Sequence, residues 1–165
     1  MTRIVLLENL VDFTESEVSE LMLPVSVQSE KEKPTMRPAE VHKMRLPDSS
    51  SWKKKAPYII IQLLTGMDQQ LEGQRESSSA VVRFVFCVYD KNEQEGALNL
   101  ANLIERLRIA LLKKRTIGGR FRLDLEAKVE TMIYTENQQP YFGGEMITTW
   151  SLPAVQREVC PEWHP

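Results

Sequence analysis

The sequence contains few of the residues that bind metals or form disulfides. Its 165 residues include two cysteines, Cys87 and Cys160, and two histidines, His42 and His164. The cysteines lie far apart, and neither histidine has a neighbouring ligand at the spacing of a zinc site. We expect no disulfide framework and no metal. Cys87 alternates within an apolar strand pattern, which indicates a small core residue rather than a nucleophile.

Long apolar runs and common catalytic motifs are also missing. No stretch is long enough to cross a membrane, so we expect no membrane partner. There is no Gly-x-Ser-x-Gly elbow and no Walker-type loop. The glycine pairs Gly118-Gly119 and Gly143-Gly144 precede alternating strand patterns, whereas a phosphate cradle would be followed by a helix. We therefore expect a protein that is not an enzyme and that binds no cofactor.

The charge is small overall but unevenly distributed. The formal net charge is -2, which argues against a general nucleic-acid binder. Residues 1–30 hold one base and six acids, whereas residues 31–55 hold eight bases and three acids. Segments of opposite charge can pair within one chain or with a neighbouring subunit.

Hydrophobic periodicity predicts the regular core. Runs at 58–64 and 80–89 indicate two strands that pair as a hairpin across the polar segment 66–79. Residues 120–134 alternate between apolar and charged and predict one half-buried strand, and 145–152 predicts the last strand. Residues 95–114 predict an amphipathic helix, and a weaker helix is expected within 3–21. The predicted fold class is α+β: a mostly antiparallel sheet of about four strands, with helices packed on one face and extended arms.

Prolines and composition divide the chain into four parts. We predict an N-terminal helical segment at 1–23 and an extended arm, rich in proline and lysine, at 24–55. The α+β core domain then spans 56–153, and a C-terminal tail spans 154–165. Within the core, Phe84, Phe86, Leu103, Leu107 and Trp150 are predicted to be buried.

One group of acids suggests a second kind of chemistry. Asp124, Glu126 and Glu130 share the polar face of the predicted 120–134 strand, with Lys128 between them. Carboxylates beside a lysine are found in magnesium-dependent nucleases. A solvated strand face with ion pairs across strands explains the pattern more simply, and we favour that interpretation.

Three polar clusters are candidates for contacts with another subunit or a partner. The first is the lysine run beside the first core strand, the second is the hairpin loop, and the third is the basic C-terminal half of the main helix. Their residues are Lys53, Lys54 and Lys55; Gln69, Gln70, Glu72 and Arg75; and Arg106, Arg108, Lys113, Lys114 and Arg115.

Several stretches together carry a family resemblance over about residues 41–157. They are Val41–Pro47, Lys53–Ile60, Arg83–Tyr89, the helix start Glu95-Gly96-Ala97, Pro140–Met146 and Thr149-Trp150. In these stretches the chain resembles the tail terminator (tail completion) proteins of phages and prophages of Gram-positive bacteria, which are encoded among the head–tail connector genes.

The resemblance implies a structural protein of the virion. It implies a sheet with helices on one side and a homohexameric ring that caps the tail tube, stops its polymerisation and forms the surface on which the head docks. The implied partners are other copies of the chain, the tail tube protein and a head-completion or connector protein, with DNA only as passing cargo. The implied location is the tail–head junction, and the host cytoplasm during assembly.

Three alternatives remain open at this point. The chain could be another head–tail connector component, a nucleic-acid-processing accessory protein, or a regulatory binding module with no role in the virion. A tail tube protein is less consistent with the pattern, because one strong helix and few clear strands do not indicate a barrel-like core.

Overall fold

A computed structural model describes residues 2–26, 35–136 and 138–158. Its helices are α1 (Arg3–Val18), α2 (Trp52–Lys55) and α3 (Glu93–Lys114), and a single 3-10 turn, Ser49–Ser51, precedes α2. Its strands are β1 (Leu23–Pro24), β2 (Met36–Arg37), β3 (Glu40–Lys43), β4 (Tyr58–Gln69), β5 (Ser77–Tyr89), β6 (Thr116–Ile117), β7 (Phe121–Leu123), β8 (Glu130–Ile133) and β9 (Tyr141–Leu152).

The main sheet has seven strands, so the prediction of about four was wrong. Its order is β3-β4-β5-β9-β7-β6, and β8 also pairs with β9. The pairs are antiparallel except β3 with β4, which are parallel, so the sheet is mixed. The predicted hairpin is confirmed as β4 and β5, with Ile59 opposite Phe86. Its strands extend further than predicted, to Gln69 and from Ser77, so the connecting segment is 70–76 and not 66–79. The sequence pattern missed the short strands because two to four residues are too few to show a period.

The two long helices α1 and α3 lie against the same face of the sheet. Both contribute buried leucines to one core together with the side chains of β4, β5 and β9 that point to that face. The predicted core positions are confirmed: five side chains have no exposed surface, namely Phe84, Phe86, Leu103, Leu107 and Trp150. The fold is therefore a mixed α/β layer, in agreement with the broad prediction.

The main helix forms where the periodicity predicted it. The Asn92 side chain caps α3 by accepting hydrogen bonds from the backbone N–H groups of Gln94 and Glu95. Acids in the first turn and Lys113 and Lys114 in the last turn match the helix dipole. Its buried positions follow the spacing of one helical face.

The prediction of a single strand over residues 120–134 is wrong. Two short strands, β7 and β8, pair with the same edge of β9, and residues 124–129 between them lie opposite only Thr148 and Thr149. The Asp124 carboxylate accepts hydrogen bonds from the N–H groups of Glu126 and Ala127, which turns the chain out of the sheet. Leu125 and Ile133, which lie on the apolar side of that predicted half-buried strand, are 39% and 48% exposed.

The predicted arm 24–55 is partly built into the fold. β3 forms an edge of the main sheet beside β4, and β1 pairs with β2. Residues 27–34 of the arm and 159–165 of the predicted tail, including Cys160, Trp163 and His164, lie outside the described residues. Among the helices of the described ranges, none has the length and apolar character needed to span a membrane.

Candidate interaction surfaces

The main sheet has one face that points away from α1 and α3, which we call the open face. It carries the side chains of the strands that alternate with the core positions, including Val81, Val85 and Ile147. These apolar side chains are partly exposed, and within the described ranges the segment around α2 and the Tyr134 side chain pack on this face, at one end. A partly apolar sheet face without a covering layer is typical of an interaction surface.

A row of polar side chains crosses the open face from β4 to Tyr134, the residue after β8. The Arg83 guanidinium donates hydrogen bonds of 2.9 and 2.8 Å to Oε1 of Gln62, and it lies 3.8 Å from the Glu145 carboxylate. The Tyr134 hydroxyl donates to the same carboxylate at 3.2 Å. Burial, with the nearby negative charge, raises the pKa of Tyr134. The row places Arg83 and Glu145 among the apolar side chains of Val81, Val85 and Ile147.

The open face ends in a cavity of about 190 Å³, which we call the aromatic pocket. Trp52 packs edge-on against Tyr141, with 5.1 Å between the ring centroids, and the Tyr89 ring is tilted against Tyr141 at a centroid distance of 5.5 Å. The Lys53 ammonium is 5.6 Å from the Trp52 ring and 5.9 Å from the Tyr141 ring, within range of a cation–π interaction. The walls also include Tyr58, Cys87 and Tyr134 and two polar residues, Glu136 and Gln138.

The polar atoms at the base of the aromatic pocket are kept in their neutral forms. Burial raises the pKa of the Cys87 thiol from its ordinary value of 9.0 to about 11. Burial is also the main reason why the pKa of Tyr58 lies above its ordinary value. A thiol that stays protonated at neutral pH is a poor nucleophile, so the prediction that Cys87 is a core residue agrees with its 6% exposure.

The hairpin tip, residues 70–76, lies at the opposite end of β4 and β5 from the aromatic pocket. It is exposed throughout, as are residues 64–69 of β4. A backbone hydrogen bond from Gln74 to Leu71 closes the turn, and Gly73 has a φ of 73°, which favours glycine. Leu71 is 52% exposed between polar neighbours.

The base of the hairpin is held by the first residue of α1. The Arg3 guanidinium donates to Asp68 at 2.8 Å and to the backbone carbonyl of Ser79 at 3.2 Å. Hydrogen bonds from Ser78 and Arg3 hold the pKa of Asp68 below its usual value. A side chain at Gly66 would collide with Arg3, so the glycine permits this close approach.

The predicted interface residues fall into three separate places. Lys53, Lys54 and Lys55 form α2 beside the aromatic pocket, whereas Gln69, Gln70, Glu72 and Arg75 lie at or next to the hairpin tip. Arg106, Arg108, Lys113 and Lys114 lie on α3, and Arg115 caps its C-terminus. The fold does not unite these clusters into one site on a single molecule.

Two of the predicted α3 residues have partners within the chain. Arg106 donates to the backbone carbonyl of Glu17 at 2.6 Å, and Arg108 makes a bidentate pair with Glu105 at 2.8 and 2.7 Å. In the described part of the chain, Lys113, Lys114 and Arg115 form no ion pair, so the basic charge is available mainly at the C-terminal end of α3.

The acids considered for magnesium chemistry do not share a strand face. Asp124 is used as the hydrogen-bond acceptor of a turn, and Glu126 lies in that turn, whereas Glu130 begins β8. In the ranges that the structure describes, no group of three or more His, Cys, Asp or Glu residues is arranged to hold a metal ion. The premise of a shared carboxylate face was therefore wrong.

Sequence reasoning missed the aromatic pocket and the polar row. Trp52 follows a serine run and Tyr141 follows a proline, so neither belongs to a periodic pattern that would mark it as buried. The available signal was the high aromatic content of the stretches around 52–58 and 140–142. No protein-family model matches the sequence, and a search of curated proteins gives no match.

Proposed function

We propose that this protein is a structural component of a phage or prophage tail, at the tail–head junction. It assembles as a homohexameric ring that caps the tail tube, ends tube polymerisation and offers the surface on which the head docks. Its partners are other copies of itself, the tail tube protein and a head-completion or connector protein. The proposal extends the resemblance carried by residues 41–157.

The observation that supports this proposal most strongly is the pairing of an open sheet face with a protruding hairpin. Val81, Val85 and Ile147 leave apolar surface on the open face, and residues 64–77 of the hairpin are exposed. A subunit of a ring needs two different contact surfaces, because each copy meets its neighbours head to tail. The open face and the hairpin supply two such surfaces on one molecule.

Native mass spectrometry and negative-stain microscopy of the purified chain test the ring. We expect a closed ring of six copies. A second assay adds the chain to polymerising tail tube protein from the same genome, and we expect shorter tubes whose ends carry the added protein. Tube lengths that do not change with added protein, whether or not a ring forms, would contradict the capping role.

The basic C-terminal end of α3 favours one alternative, a nucleic-acid-processing accessory protein. Lys113, Lys114 and Arg115 are exposed, and Arg120 and Arg122 follow in the next turn and strand. Clustered bases of this kind bind phosphate backbones with an affinity that falls steeply with salt. Tight, salt-dependent binding of the chain to a DNA duplex, lost in a Lys113→Glu/Lys114→Glu variant, would favour this alternative.

A further inference from the structure

The aromatic pocket and the hairpin tip cannot meet within one molecule. β4 begins at Tyr58 in the wall of the pocket and ends at Gln69 beside the tip. Twelve residues of extended strand separate the two places by about 35 Å, since a strand rises about 3.3 Å per residue. Any contact between the pocket and a hairpin tip must therefore join two molecules.

The two places have opposite charge. Lys53, Lys54 and Lys55 lie on α2 beside the aromatic pocket, where one acid, Glu136, also lines the wall. No ion pair involves these lysines in the described part of the chain. The hairpin tip carries Glu72 and Glu76 against one base, Arg75, whereas Asp68 at the base of the hairpin is paired with Arg3. Opposite charges of this kind orient two surfaces as they approach.

The hairpin tip and the aromatic pocket also match in apolar character and size. Leu71 is 52% exposed at the hairpin tip, next to Glu72. The aromatic pocket is lined by Trp52, Tyr58 and Tyr141 and has a volume of about 190 Å³, which suits one aliphatic side chain. Contact between Leu71 and these rings would remove both from water, which would supply the affinity of the tip for the pocket. The charges would set the orientation of the two surfaces.

We propose that the hairpin tip of one copy docks into the aromatic pocket of a second copy. Leu71 enters the pocket, and Glu72 faces Lys54. The contact joins two different surfaces of identical chains, so each copy offers one tip and one pocket, and the contact repeats from copy to copy. The inference rests on the proposed self-association and specifies which residues form it.

Substitution of Leu71 tests the apolar part of the contact. Leu71→Ser removes an exposed side chain from a turn, so the fold is expected to remain intact. Sedimentation analysis should show self-association weakened about tenfold or more. Leu125→Ser, at another exposed leucine in a loop, is the control and should associate like the parent chain. Unchanged association of Leu71→Ser would overturn the proposed contact.

Charge reversal tests the pairing of tip and pocket more sharply. Glu72→Lys alone places two positive groups together, and Lys54→Glu alone places two negative groups together, so each variant should associate weakly. An equimolar mixture of the two should associate again, because every contact in an alternating assembly then joins opposite charges. A ring of six copies can alternate in this way. No rescue in the mixture would contradict the assignment.

The outcomes separate this inference from the proposed function. If Leu71→Ser still forms six-membered rings and shortens tail tubes, the ring stands and the tip-to-pocket contact is wrong. If the parent chain associates through Leu71 but leaves tube length unchanged, the contact stands and the capping role is wrong. A parent chain that stays monomeric at about 100 μM, a concentration at which a contact of micromolar affinity would be saturated, overturns the contact.

Discussion

At the scale of single residues, Cys87 and Tyr58 face each other at the base of the aromatic pocket. Both are about 6% exposed, and both side chains favour the protonated form because burial disfavours a charge there. The sequence pattern around Cys87 was sufficient to predict a buried thiol. It did not indicate that the neighbours would be aromatic, because Trp52 and Tyr141 come from distant segments.

The raised pKa of Cys87 predicts a pH dependence of stability. The folded chain holds the thiol proton up to about pH 11, whereas the unfolded chain releases it near pH 9.0. The free energy of unfolding should therefore be unaffected by this group below pH 9 and should fall as the pH rises from 9 to 11. Urea titrations of the parent chain and of Cys87→Ala measure the difference. An equally steep loss in Cys87→Ala would contradict the assignment.

At the scale of secondary-structure elements, α3 packs against the sheet through one apolar face. Leu107 has no exposed surface, whereas Ile109, two positions along the helix, is 42% exposed. Helical periodicity alone distinguished the buried face of α3 from its exposed face in the sequence, because the apolar positions repeat over several turns.

We expect Leu107→Ala to lower the free energy of unfolding by about 2–5 kcal/mol, because it leaves a cavity in a packed core. Ile109→Ala, on the exposed side of the same helix, should cost less than about 1 kcal/mol. Chemical denaturation of both variants measures the two values. Equal losses would show that α3 does not pack as described.

The turn between β7 and β8 depends on one side chain. Asp124→Ala removes the acceptor for two backbone N–H groups and should destabilise the chain by about 1 kcal/mol. Asp124→Asn keeps a side-chain oxygen and should lose less stability. Thermal melts of both variants, at matched pH, measure the effect. An Asp124→Ala variant as stable as the parent chain would show that the turn does not depend on this carboxylate.

At the scale of the whole molecule, α1 shares one core with the sheet. Leu6 and Leu10 have no exposed surface and belong to the same cluster as Phe84 and Trp150. The composition of residues 1–23 suggested a segment separate from the core at 56–153, and the burial argues for cooperative folding of the two parts.

We therefore expect Leu10→Ala to lower the unfolding midpoint of the whole chain. Far-ultraviolet circular dichroism and tryptophan fluorescence should give one coincident transition, shifted by the same amount in both signals. Ile4→Ala, at a position in α1 that is 54% exposed, is the control and should leave the midpoint almost unchanged. A separate early transition in the helical signal would show that α1 unfolds on its own.

The sequence by itself determined the elements whose burial follows a regular period. β5 and α3 each extend over more than ten residues, and one continuous face of each is buried, so their patterns repeat often enough to be read. The central hairpin followed from the same signal, because two apolar strand patterns flank one polar segment, although the structure shortened that segment to 70–76.

Only the tertiary structure decided the features that depend on distant partners. The parallel pairing of β3 with β4 joins segments on either side of α2, and the aromatic pocket brings Trp52 to Tyr141. Residues 124–129, which separate β7 from β8, lie in a stretch that alternates between apolar and charged residues. This sequence pattern continues although the chain there leaves its partner strand. Local periodicity reports which side of a segment can be buried, whereas contacts across the fold determine whether anything covers it.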